Sequence, residues 1–214
     1  NGTTYTVTAI GHDAFYACPQ LTAVNLPSTV TSIERRAFFS CGFRALTLPN
    51  TVTYIGHEAF HNCGIMTSFS TGDGVVTIEH DAFNYCSALQ TFTIGSAVTS
   101  IGYKALYGCN NLTTVIINNA ATSIGTNAFK DCVSLNSVSL GNAVTSIGDR
   151  AFSGCSQLTS ITLPNTLTTI GSNAFGGSGL TSITLPDSLA LTLGDSAFYR
   201  CYALASVTLP ESLA

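Results

Sequence analysis

The chain has 214 residues, 45% of them hydrophobic and only 8% charged, with a formal net charge of −4. Seven scattered Lys and Arg residues make no basic stripe, so the composition excludes a nucleic-acid binder. No apolar stretch approaches the roughly 18 residues of a membrane span, so no membrane insertion is expected of this segment.

The chain opens on Asn1, Gly2 and Thr3, and the first landmark is Ala14-Phe15, followed by Cys18. This pattern returns at Ala37, Ala59, Ala82, Ala128, Ala151, Ala174 and Ala197, with Ala105-Leu106 filling the one gap. The spacing is 23 residues throughout, except 22 between Ala37 and Ala59. Four residues after each Ala stands a cysteine (Cys18, Cys41, Cys63, Cys86, Cys109, Cys132, Cys155, Cys201), and only Ser178 departs. A fixed period of this length marks a solenoid, because one unit cannot bury its own apolar face and stacked units can.

The second repeat lacks one residue between Cys41 and Phe43, where Phe43 takes the place of a Leu. The third contains His57-Glu58-Ala59-Phe60-His61, the HExxH spelling of zinc proteases. That chemistry needs a helix to bring both histidines to one face, and here the motif falls in register with Gly11-His12-Asp13-Ala14-Phe15-Tyr16. Its middle is therefore core packing, and neither catalysis nor a structural metal is expected. A surface metal set of His57, His61 and His80 is the lesser alternative.

The seventh repeat shows the local logic best. Ile161 and Leu163 are two apart and share one face of a strand, while Ser160 and Thr162 face the other way. Pro164 lacks the N–H for a ladder bond and ends the strand. Leu167 to Ile170 reads as a second short strand, Gly171 as a turn with positive φ, and Ala174-Phe175 as a short helical or irregular corner. The eighth repeat loses a residue before Leu180 and regains one between Leu189 and Gly194. The fold class is thus a β-rich solenoid: one domain over 1–214, a right-handed coil of about nine 23-residue repeats with short parallel strands and no long helices. At about 4.8 Å per stacked strand it is about 40 Å long.

Stretches such as Leu158 to Phe175 (LTSITLPNTLTTIGSNAF) and Ala151 to Leu158 (AFSGCSQL) resemble the BspA-type leucine-rich repeats over essentially the whole chain. The resemblance implies an extracellular or cell-surface protein with an adhesive or protein-binding role and no catalytic residues. A structural element stacking end to end in a longer solenoid or filament is the alternative. Both ends, at Asn1 and Leu213, fall inside a repeat, so a fragment of a longer chain with self-associating ends is expected.

The cysteines are expected as a column of small buried thiols rather than bridges or zinc ligands. Their spacing matches no CxxC pattern, and parallel stacked side chains suit a disulfide poorly. Thr and Ser at outward strand positions such as Thr91, Thr93, Thr114 and Ser137 read as solvent-facing ladders, with ice or glycan binding the sharper reading. Asn111-Leu112-Thr113 is a glycosylation sequon.

Charge is unevenly placed. Of the 18 charged residues, nine occupy the two positions before Ala-Phe, including Asp13, Arg35, Arg36, Glu58, Asp81 and Lys104. Non-consensus aromatics and histidines gather at the same corner. The candidate partner-binding edge is His12, Tyr16, Arg35, Arg36, Phe39, His57, His61, Tyr85, Tyr103 and Tyr107. Tyr and Arg dominate binding hot spots, so a protein partner is expected there, with glycan the lesser choice and no cofactor.

Overall fold

The computed structural model describes residues 6–188 and 191–210. Nine two-residue strands, from Ala9–Ile10 through Ser32–Ile33 and Tyr54–Ile55 to Thr169–Ile170 and Thr192–Leu193, form one parallel sheet in chain order. Its register puts each inward residue over its equivalent, as in Ile33 against Ile55 and Ile124 against Ile147. No helix occurs among the described residues, and none is long and apolar enough to cross a membrane.

A second parallel sheet runs along another side of the coil: Ala45–Thr47, Ser68–Ser70, Thr91–Thr93, Thr114–Ile116 and Ser137–Ser139. It resumes as a pair, Ser182–Thr184 with Ser206–Thr208. The interruption falls on the seventh repeat, whose sequence gave the clearest strand pattern. The alternation survives there, with Ile161 and Leu163 buried and Ser160 and Thr162 not. No strand forms, however, and the link to the next turn at this level is Thr181 N–H donating to the Thr159 carbonyl at 3.0 Å. Side-chain periodicity settles which face is inward; pairing needs backbone proximity, which the pattern does not encode.

The Ala-Phe corner is neither helical nor irregular. It is a third hydrogen-bonded ladder. The N–H groups of Asp13, Phe15 and Ala17 donate to the carbonyls of Arg35, Ala37 and Phe39 at 3.0, 2.8 and 2.8 Å. The same triplet recurs at Arg150, Phe152 and Gly154. Each corner holds two residues at left-handed φ: the one before Ala (Asp13, Arg36, Glu58, Asp81, Lys104) and the third after it (Ala17, Ser40, Asn62, Tyr85, Gly108). Most of these are not glycine, although a side chain at such φ costs about 1–2 kcal/mol. The neighbouring turn's hydrogen bonds hold them there.

This corrects the expectation for the glycines before the corner. Gly56, Gly102, Gly125, Gly148 and Gly171 are not at positive φ. They are small because the preceding turn lies against them: a Cβ at Gly125 would stand 2.6 Å from the Gly102 carbonyl carbon, and one at Gly171 would stand 2.5 Å from Asp149 N. Close approach likewise requires a glycine in each of the two short repeats. A Cβ on Gly42 would stand 2.0 Å from the Pro19 carbonyl oxygen, and one on Gly179 would stand 2.2 Å from that of Ser156. Leu189, part of the compensating insertion, and the termini at Asn1 and Leu213 lie outside the described residues.

Stacking turns the repeat's residues into columns. Phe15, Phe38, Phe60 and Phe83 stack near-parallel at 5.2 to 5.4 Å, and Phe129, Phe152, Phe175 and Phe198 at 5.3 to 5.5 Å. Leu106 separates the two runs and is itself fully buried. Phe43, in its Leu position, meets Phe38 edge-on at 5.3 Å. All cysteines are free, and all except the half-buried Cys18 are buried. Each inner thiol has a partner: Cys63 donates to the Phe38 carbonyl and Cys86 to that of Phe60, both at 3.2 Å. Ser178 keeps the column polar, its hydroxyl lying 3.3 Å from the Cys201 sulfur.

Candidate functional site

Side chains around the third ladder project from a backbone that the stack holds fixed. Two columns result. The first begins with Tyr16 and Phe39, two residues after Ala, whose rings stack at 4.8 Å. Phe39 stacks on His61 at 4.7 Å with 5° between planes. His61 meets Tyr85 edge-on at 6.0 Å, and Tyr85 meets Tyr107 at 5.3 Å and 90°. Five rings from five turns therefore form one unbroken aromatic file.

Tyr85 is one residue out of phase with the others. The residue in phase, Asn84, is buried, with its amide donating to Asp81 Oδ1 at 2.6 Å. Tyr85 stands at φ 59° and fills the vacated place. Gly108 makes this possible, because a Cβ there would stand 2.9 Å from Tyr85 Cδ1, and its own φ is +68°. Cations cap both ends of the file: the Arg36 guanidinium lies 5.5 Å from the Tyr16 ring centre, and Lys130 Nζ 5.1 Å from that of Tyr107. Arg36 also pairs with Asp13, Nε lying 2.9 Å from Oδ1 and Nη2 donating to Oδ2 at 3.1 Å.

The second column stands two residues before Ala: His12, Arg35, His57, His80 and Tyr103. His12 is exposed at its head. Arg35 pairs with Glu58 at 3.7 Å, the rings of His57 and His80 meet at 4.9 Å, and those of His80 and Tyr103 at 6.1 Å. Lys104 Nζ lies 4.9 Å over Tyr103. Every residue of the predicted edge thus belongs to one corner. The sequence places Lys104 and His80 at this corner without counting them in the binding edge, and it does not point to Lys130 and Glu79. A position-by-position reading of the repeat could have found them, since each is a neighbour in register.

The environment shifts some of these groups. Burial lowers the pKa of His61 from 6.5, against the raising effect of Glu58 and Asp81. Tyr107 is pushed up to about 12, first by its hydrogen bond with Tyr85 and then by burial. His57 and His61 stand in different columns, and Glu58 between them is left-handed at φ 55°. The HExxH spelling therefore does not make the helical face that a zinc protease requires. His61 also drops out of the expected metal set, while His57, His80 and Glu79 come together, with one ligand atom from each within 4.8 Å of the others.

Opposite this corner's chemistry, the strand face is bland. Hydroxyls just before the nine-stranded sheet are spent on the stack: Thr53 donates to the Thr31 carbonyl at 3.2 Å and Thr145 to that of Thr122 at 3.0 Å. Thr91, Thr93 and Thr114 are exposed on the second sheet.

A stack of this kind, with short strands paired in parallel from turn to turn and an inward leucine-type column, defines a leucine-rich-repeat solenoid. The sequence profile of the BspA type leucine rich repeat region matches residues 8–136 and 122–214. The chain belongs to that family. Among solved structures it is similar to a leucine-rich repeat protein of Eubacterium ventriosum, at 31% identity and TM-score 0.65 over 72% of this chain and 42% of that one. It is also similar to the Treponema pallidum leucine rich repeat protein TpLRR, at 26% identity and TM-score 0.68 over 76% of this chain and 78% of that one. A leucine rich cell surface protein of Faecalibacterium prausnitzii matches at 25% identity and TM-score 0.55 over 95% of this chain and 76% of that one. The chain spans less than half the length of the Eubacterium protein. No curated protein matches it in sequence.

Proposed function

We propose that the chain is a non-catalytic recognition module of a cell-surface or secreted protein, and that it binds a protein partner along the corner edge of its first five turns. The observation that carries this is the pair of columns: rigid aromatic rings and charges of both signs on one continuous strip, with Tyr16, Tyr85 and Tyr103 each more than a third exposed. Such side chains bury much area at little entropic cost, and a fixed backbone spares the cost of ordering loops. The exposed hydroxyls of the strand face offer no comparable anchor. The likeness to a cell-surface protein of the same repeat supports the location.

The test is a partner captured from candidate surface proteins on the immobilised chain, followed by single substitutions. Arg35→Ala, Tyr103→Ala and Tyr107→Ala should each weaken binding by at least about 1 kcal/mol. Thr93→Lys and Thr114→Lys should leave it intact. The opposite pattern would move the site to the strand face, where a glycan becomes the better ligand.

A further inference from the structure

We propose that His57, Glu79 and His80 form an exchangeable site for a divalent transition-metal ion of the zinc class, set between the third and fourth turns. The sequence alone expects no structural metal and offers a surface set of His57, His61 and His80 only as the lesser alternative. The structure breaks that motif and assembles a different trio. His57 and His80 occupy equivalent positions on adjacent turns, their rings 4.9 Å apart and 74° to one another. Glu79 reaches the same place, with Oε2 3.6 Å from His57 Nε2. The backbone beneath is fixed by the ladder, Glu58 N–H donating to the His80 carbonyl and Glu79 N–H to that of Ile55, both at 3.1 Å.

Two imidazoles and one carboxylate suit zinc, cobalt, nickel or copper better than calcium or magnesium, which prefer all-oxygen ligands. Ligands of one ion sit about 2.0–2.2 Å from it, so this trio must close inward from its 4.8 Å span. His57 and His80 are exposed, which leaves space for their side chains to turn. Glu58 and Asp81 line the same hollow as His57, together with Arg35, whose charge is offset by its pairing with Glu58. Three protein ligands leave a coordination position for water or for a side chain of a bound protein.

One bond opposes the site and makes it detectable. The Tyr103 N–H donates to His80 Nδ1 at 3.0 Å. A metal taken at Nδ1 displaces this bond, and one taken at Nε2 requires a proton at Nδ1, which the amide cannot accept. Either way the Tyr103 amide loses its partner on metal binding.

The experiment is calorimetric titration of the reduced full chain with zinc chloride, with the Tyr103 amide followed by NMR. One equivalent should bind saturably and shift that amide. His57→Ala and His80→Ala should abolish the binding. Glu79→Gln should weaken it at least about tenfold, the lower end of what loss of even an outer ligand-orienting group costs. His61→Ala should change it little. His57 and His80 are exposed and Glu79 and His61 half-buried, and circular dichroism checks that each variant keeps the fold. Binding that survives His57→Ala and His80→Ala, binding lost equally in His61→Ala, or no saturable binding at all would each overturn the proposal.

Discussion

Alkylation of the cysteines tests the thiol column directly. The thiolate is the reacting species, so a raised pKa slows reaction in proportion to the thiolate lost. Burial pushes Cys109 from 9.0 up to about 12, the Cys86 backbone only partly opposing it. Cys41 is also pushed up to about 12 by burial, against the lowering effect of the Cys18 backbone. Three pH units lower the thiolate fraction near neutral pH about a thousandfold. Closed packing adds to this, because an enclosed thiol meets reagent only when its turns part. Cys18, half-buried on the first turn, is the exception. Iodoacetamide on the native chain, read by peptide mass mapping, should therefore label Cys18 in a fast phase and the other seven cysteines far more slowly. In denaturant all eight should react together. Cys18→Ser should delete the fast phase without changing the rest. Labelling of Cys109 at the rate of Cys18 in the folded chain, or an intact mass short of hydrogens through disulfide formation, would refute the reasoning.

Further predictions follow from the columns. Phe152, fully buried between Phe129 and Phe175, should cost about 3–5 kcal/mol as Phe152→Ala. Phe152→Leu should cost about 1–3 kcal/mol, the worth of its two ring pairs, since Leu106 already occupies the same position; urea unfolding with equal losses for both would contradict the stacking account. Gly108→Ala should destabilise by at least about 1 kcal/mol, because the residue is left-handed and its new Cβ meets Tyr85; an unchanged melting temperature would argue against it. For His61, burial lowers the folded proton affinity below 6.5, so the unfolded chain binds more protons between that lowered value and 6.5. Stability is therefore full above this window and falls as pH drops through it. His61→Phe should remove that component, and melting curves from about pH 8 to about pH 5 with the same slope in both proteins would exclude it.

The sequence by itself determined the period, the inward columns and the corner as the place where chemistry collects. Each is a matter of which residue recurs, and stacking at a constant rise converts recurrence in sequence into adjacency in space. Hence Tyr16, Phe39, His61 and Tyr107 could be placed on one edge from their spacing from Ala, and the cysteines in one buried file. Only the tertiary structure decided the rest. It put Tyr85 into the aromatic file in place of Asn84, because a left-handed residue and Gly108 together make room for its ring. It separated His61 from the stacked pair His57 and His80 and brought Glu79 to that pair, because the corner is a ladder between turns and not a helix. It gave the glycines a reason other than φ, because the neighbouring turn's backbone occupies the space a Cβ would need. It opened the second sheet at Ser160–Thr162, where the alternation of side chains was clearest. Those features depend on how closely one turn's backbone lies on the next, a distance that no single repeat's sequence specifies.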